Sequence, residues 1–225
     1  MGLDKLAAEN VTVLVPAGAE YKAVKRGVKH AQHSLDIVAV PAGKAVKEFV
    51  IELKKEKRIR ENVLMMGLGG GLCAESAVGR SRLLKQVWSA DDGSNLWTND
   101  RLTMQIAAQL EDVSYGAGVM CNQVVTKAID KKALGDRYQA QVVDMESFSL
   151  LQALPQHKVA ILRVISDSCE HDIPNVTDAI RADGSLNAAA LTLSFAQKPI
   201  AAIRFISSSL KGLNQLEKVA ERLFP

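Results

Sequence analysis

Short apolar runs alternate with helix-like stretches along the chain, and that alternation narrows the fold more than any other feature. Val11 to Val15, Asp36 to Val40 and Asn62 to Leu68 read as buried strands. Leu83 to Trp88, Val113 to Met120, Gln141 to Asp144 and Val159 to Ser166 continue the series. Amphipathic patterning predicts helices over Glu20 to Gln32, Lys44 to Lys57, Arg101 to Gln109 and Thr126 to Ala133. Three more are expected over Met145 to Ala153, Pro199 to Leu210 and Leu213 to Leu223. Strands alternating with helices predict an α/β sheet with helices on both faces. The 225 residues fit one domain, 1–225. Ligands of such sheets bind at the carboxyl ends of strands.

Composition removes several function classes. A net charge of +3, spread along the chain, lacks the clustered basic face of a nucleic-acid binder. No stretch approaches the roughly 20 apolar residues needed to span a bilayer, and the N-terminus has no apolar run of signal-peptide length. The Met1-Gly2 start lacks the Ser or Thr of a myristoylation site, having Leu6 there. Cys73, Cys121 and Cys169 form neither a disulfide framework nor a zinc pattern. A cytoplasmic protein with reduced thiols, and no membrane partner, is expected.

Two kinds of strand end carry candidate chemistry. Gly67-Leu68-Gly69-Gly70-Gly71-Leu72 follows the third strand. It fails the dinucleotide fingerprint, which needs glycine where Leu72 stands, and it lacks the Gly-Lys-Ser/Thr of a phosphate loop. A tight turn passing close to a ligand is the reading taken, against a plain turn. The other strand ends are acidic. Asp144 and Glu146 follow one apolar run, and Ser166 and Asp167 end another. Asp144 is read as a candidate substrate-binding residue, with a helix cap as the alternative.

These segments resemble the purine nucleoside phosphorylase and methylthioadenosine/S-adenosylhomocysteine nucleosidase family. Val143-Asp144-Met145-Glu146-Ser147 is similar to its Val-Glu-Met-Glu-Ala segment, and Val164-Ile165-Ser166-Asp167 to its Arg-Ala-Ile-Ser-Asp segment. Met66 to Leu72 is similar to its Thr-Gly-Ser-Ala-Gly-Gly-Leu turn, and Val15-Pro16-Ala17-Gly18-Ala19-Glu20 stands in place of its first strand and acidic loop. The four occur in family order between about Val11 and Asp167. The resemblance implies one three-layer α/β domain around a mixed, partly barrel-like sheet, assembled as a homodimer or larger homo-oligomer. It implies cleavage of the bond between a purine and a ribose. Glu146 would bind the ribose hydroxyls, with Met145 beneath the sugar. Asp167 would act at the purine N7, supported by Ser166. Glu20 would activate the nucleophile. Gly67, Gly69 and Gly70 would line the site, and Gln123 and Val124 would lie at the base pocket.

Those residue types suit the chemistry. The leaving purine needs a proton, which an acid near N7 supplies. An ordinary Asp, with pKa ≈ 3.9, holds a proton near neutrality only where burial or neighbours raise it. A carboxylate anchors ribose hydroxyls by charge-assisted hydrogen bonds, and another takes a proton from water. Phosphate as co-substrate would need cations or amides, and the positions where the phosphorylases carry Arg and Ser resemble Met65 and Leu68. Water is therefore favoured, with no cofactor, and Arg26, Arg80 or Arg82 are left as alternative phosphate ligands. Cys169-Glu170-His171-Asp172 reads as a polar loop rather than a metal site, and His30 and His33 as surface residues. A nucleotide-dependent oxidoreductase and a nucleoside-binding protein without turnover are the rival classes.

Overall fold

The structure, a computed structural model, describes residues 10–174, 195 and 198–225. The readings made on Met1, Gly2 and Leu6 fall outside these residues. The first half of the described chain runs β1 (Val11–Pro16), α1 (Ala19–Gly27), β2 (Asp36–Val40), α2 (Ala45–Lys55), β3 (Asn62–Gly71) and β4 (Ser81–Ser89). The second runs β5 (Asn95–Trp97), α3 (Asp100–Ala107), β6 (Val113–Met120), α4 (Ala128–Tyr138), β7 (Val142–Asp144), α5 (Ser147–Ala153), β8 (Lys158–Asp167) and α6 (Pro199–Leu223).

All strands belong to one mixed sheet. β2, β1 and β3 are parallel neighbours. β3 also pairs parallel with β8 and, at Gly70 and Gly71, antiparallel with β7. β8 runs antiparallel to β4, β4 parallel to β6, and β6 parallel to β7. β3, β8, β4, β6 and β7 therefore close a ring. β1 and β2 extend it beyond β3, and β5 pairs with β4. The sheet is the mixed, partly barrel-like one that the resemblance implies.

Successive side chains of a strand face opposite ways, so each buried strand feeds two cores. Leu64 and Met66 of β3, with Ala160, Leu162 and Val164 of β8, pack against α1, α3 and α6 through Val24, Ile106 and Leu216. Val63 and Met65, with Val159 and Ile161, pack the other way against α2 and α5 through Val50 and Phe148. Helices thus cover both faces, as the alternation predicts. A third cluster of Leu72, Val119, Tyr138 and Val143 lies between β3, β6, β7 and α4.

Three expectations change. The glycine run is not a turn. It continues β3 as strand to Gly71, because β8 and β7 supply pairing partners, with a register shift between Gly69 and Gly70. The two C-terminal helices are one, α6, running through Gly212. A Cβ on Gly212 would stand 3.3 Å from the Ile165 carbonyl oxygen and from the Ser166 Cα, so this glycine lets the helix pass closely over β8 instead of breaking it. The first helix ends at Gly27 rather than Gln32.

Candidate active site

The acidic strand ends meet around a buried arginine. Arg163, in the middle of β8, is fully buried. Its Nε donates to Asp144 Oδ2 at 2.8 Å. Its Nη2 lies 3.3 Å from Glu146 Oε2, 3.3 Å from Ser147 Oγ and 3.4 Å from Met65 Sδ. Its Nη1 has no protein partner among the described residues. A buried charge is tolerated only when paired, and the end of β7 provides the pairing.

Asp144 is occupied on both oxygens. Oδ1 accepts from the Ser147 amide at 3.1 Å, capping α5, and Oδ2 accepts from Arg163 and from the Ser147 hydroxyl. These bonds form a cap on the first turn of α5. Glu146 is buried, and its Oε1 accepts from the Gly43 amide at 2.8 Å. Burial pushes its carboxyl up, opposed by Arg163.

Glu20 reaches this group from the first turn of α1. Gly18, with φ of 100°, makes the turn between β1 and that helix. Glu20 Oε1 accepts from the Leu68 amide of β3. Burial pushes its carboxyl up to about 7, with Glu146 and Asp144 pushing the same way and the Leu68 amide and Arg163 opposing. Gly67 separates this carboxylate from the arginine. A Cβ there would stand 2.3 Å from Arg163 Nη1 and 2.8 Å from Glu20 Oε1. Glycine is therefore what lets both groups approach the strand.

Asp167 ends β8, buried like its neighbour Ser166. β3 pairs Gly69 with Ile165 and then Gly70 with Asp167, leaving Ser166 as the extra residue of a bulge. Such a bulge re-aims the side chains beside it. Asp167 Oδ1 accepts from Ser166 Oγ at 2.7 Å, and Oδ2 accepts from Lys131 Nζ of α4. Ser166 thus contacts the acid it was expected to support, and the lysine is a second partner. A Cβ on Gly70 would lie 3.1 Å from Asp167 Oδ2, whereas one on Gly69 would meet Val142 instead.

The remaining expectations divide. Met145 is half-buried, with its Cε 3.8 Å from where a Cβ of Gly43 would be. Gln123 and Val124 line a cavity of about 680 Å³ with Asp91, Cys121, Lys127 and Asp130, and none of Glu20, Glu146 and Asp167 lines it. Arg82 is buried, donating to Ser114 Oγ at 2.8 Å and the Glu75 carbonyl at 2.7 Å. Arg26 pairs with Glu217, and Arg80 is exposed. His30 and His33 are exposed, as expected. Asp172 of the polar loop accepts from the Ala128 amide at 2.8 Å and so caps α4. No group of three or more His, Cys, Asp or Glu side chains able to hold a metal occurs among the described residues, and no helix there is long and apolar enough to cross a membrane.

Sequence reasoning assigned no role to Arg163 or Lys131. Arg163 had a usable signal, since an arginine inside Val159-Ala160-Ile161-Leu162-Arg163-Val164 must be paired if the run is a buried strand. Lys131 had none, standing beside the exposed Lys132 in an ordinary helical pattern.

No protein-family model matches the sequence, and no curated protein matches it. Solved structures do. The futalosine hydrolase of Helicobacter pylori superposes with a TM-score of 0.69 at 13% identity, covering 95% of this chain and 96% of that one. The 5'-methylthioadenosine/S-adenosylhomocysteine nucleosidase of the same organism, complexed with a pyrrolidine-based ligand, gives 0.69 at 13% identity, covering 99% and 98%. The corresponding nucleosidase of Colwellia psychrerythraea, in complex with adenine, gives 0.62 at 18% identity, covering 93% and 95%. Matches this complete establish the architecture: the chain has the fold of the nucleosidases, as the resemblance implied.

Proposed function

We propose that this protein hydrolyses the N-ribosidic bond of a purine nucleoside of the adenosine type. The observation that carries the reading is the buried Arg163, paired with Asp144 and Glu146, whose free Nη1 lies with the Glu20 carboxylate against Gly67. One free donor beside one carboxylate suits a water molecule, held by the arginine and deprotonated by Glu20. Glu146 keeps lone pairs for the ribose hydroxyls beyond those taken by Gly43 and Arg163. Met145 gives the sugar an apolar floor. Asp144 positions Arg163 and α5, since its oxygens are already engaged. Asp167 stands four residues beyond Arg163 on the same strand, roughly 13 Å of extended chain, a separation of the order of a nucleoside's length. There it serves the leaving base.

Water is preferred to phosphate on electrostatic grounds. Glu20, Asp144 and Glu146 surround the one arginine, and a phosphate dianion would be repelled by them. Met65 gives only its sulfur, to Arg163, and the Leu68 amide serves Glu20. No cofactor is assigned. The fold neighbours whose structures include a nucleoside analogue or adenine support a small-molecule nucleoside as the ligand. The reduced thiols support a cytoplasmic setting.

The test is release of free base from a panel of purine nucleosides, including 5'-thio-substituted adenosines. Cleavage of at least one is expected. Tight binding with no release from any would replace the reading by a non-catalytic nucleoside-binding protein.

A further inference from the structure

The ion pair between Asp167 and Lys131 has a consequence for the leaving base. Lys131 is 1% exposed. Its Nζ donates to Asp167 Oδ2 and to the Ser168 carbonyl oxygen at 3.2 Å. The other oxygen of Asp167 accepts from Ser166. The single hydroxyl hydrogen of Ser166 has two acceptors, Asp167 Oδ1 at 2.7 Å and the Gly69 carbonyl at 3.3 Å, while Oδ2 faces a full ammonium, so the acid is engaged on both sides and its charged partner is the lysine. Yet a purine leaving as an anion must be protonated. Two groups touch that carboxylate with a hydrogen, the Ser166 hydroxyl and the Lys131 ammonium, and the ammonium is by far the stronger acid.

The placement is built rather than incidental. Asp172, five residues after Asp167, caps the N-terminus of α4 through the Ala128 amide at 2.8 Å. The Ile173 amide donates to the Thr126 carbonyl at 2.9 Å, tying the same loop to the start of the same helix. One turn after Lys131, Gly135 sits so close to Leu72 that a Cβ would stand 2.8 Å from the Leu72 carbonyl oxygen. The helix carrying the lysine is thus fixed to the loop after β8 and to the end of β3. Burying an ammonium group is costly, and its carboxylate partner, with the Ser168 carbonyl, offsets that cost here.

We infer that Lys131 is the proton source for Asp167 in departure of the base, an inference that rests on the nucleosidase reading above. As the bond between C1' and the base breaks, its electron pair stays with the base. Asp167 passes a proton to the base nitrogen and takes one from Nζ, leaving neutral Lys131, ionised Asp167 and a neutral purine. The proton that Glu20 removes from water goes to solvent, and Lys131 is reprotonated from solvent, so the cycle closes. Lys131 acts through Asp167 and is a positioning and proton-supplying residue.

The test compares wild type, Lys131→Gln and Lys131→Arg on the purine nucleoside that the wild type cleaves and on 4-nitrophenyl β-ribofuranoside. 4-Nitrophenolate leaves without a proton. Thermal unfolding is followed for each variant. The inference expects Lys131→Gln to lower purine release by roughly 10²–10⁴ while the nitrophenyl riboside is cleaved as before. It expects Lys131→Arg to fail as well, because a guanidinium keeps the charge but does not give up its proton. Arginine restoring the purine rate would reduce Lys131 to a charge partner and overturn the inference, and so would a parallel loss on both substrates. If the nitrophenyl riboside is refused even by wild type, the Lys131→Arg rate on the purine nucleoside decides alone. Failure of wild type on both substrates would overturn the nucleosidase reading itself.

Discussion

Arg163 organises the site residue by residue. Without it, Asp144 and Glu146 would be two buried carboxylates with no counter-charge. Arg163→Met is expected to cost about 3–5 kcal/mol of stability, the usual cost of breaking a buried pair, as urea unfolding would measure. A loss under about 1 kcal/mol would mean that the carboxylates neutralise or rehydrate without it. As the proposed base, Glu20 is expected to set the pH dependence. A base works ionised, and burial holds this carboxyl up to about 7, so kcat/KM rises with pH through about 7 and levels above it. The stability effect has the opposite sense. An acid raised on folding contributes stability below its unfolded value near 4.5, and that contribution is lost as pH rises through about 7. Glu20→Gln is expected to lower the rate by roughly 10²–10⁴ and to remove the limb near pH 7; a limb that persists would belong to another group. Part of this was legible beforehand: Glu146, Ser166 and Asp167 stand out as polar groups at the ends of apolar runs, whereas Glu20 is singled out only by the family resemblance. Arg163 was hidden only by being treated as part of a run. Lys131 is identified by helix orientation, which depends on contacts far away in sequence.

At the level of elements, the strands were legible except the three-residue β5, and the helix limits were not. Buried strands announce themselves as apolar runs of Val, Leu, Ile and Met, such as Val11 to Val15. Helix limits depended on glycines whose role is packing. Gly212 looks like a breaker in sequence, yet it is the contact between α6 and β8. Gly27 closes α1 against the same long helix. A Cβ there would stand 2.2 Å from the Glu217 carbonyl oxygen, a backbone atom that cannot swing aside. Gly27→Ala is therefore expected to destabilise by roughly 1–3 kcal/mol, although alanine is the better helix former. Calorimetry would show it as a lowered Tm, and an unchanged or raised Tm would contradict the close contact. The glycines of β3 were misread as a turn for a related reason. Their pairing with β8 and β7 comes from strands roughly 70 to 100 residues away in sequence, which local pattern cannot reveal.

At the scale of the molecule, a five-strand ring extended by β1 and β2 gathers its acidic groups where β1, β3, β7 and β8 end. α6 presents Ile200, Ile203, Ile206 and Leu210 to solvent, with Ile200 74% exposed and Ile203 70%. A stripe of that kind fits the homo-oligomer expected from the resemblance. Light scattering should give at least twice the 24.3 kDa of one chain, and a monomer at micromolar concentration would contradict it. The central claim concerns the nucleophile at the ring's acidic end. Its most direct test is the rate of purine release measured in phosphate-free buffer and again as phosphate is added. A rate already full without phosphate, and unchanged by it, is the result predicted for water held between Arg163 and Glu20. A rate that is absent without phosphate and rises with it would contradict the account.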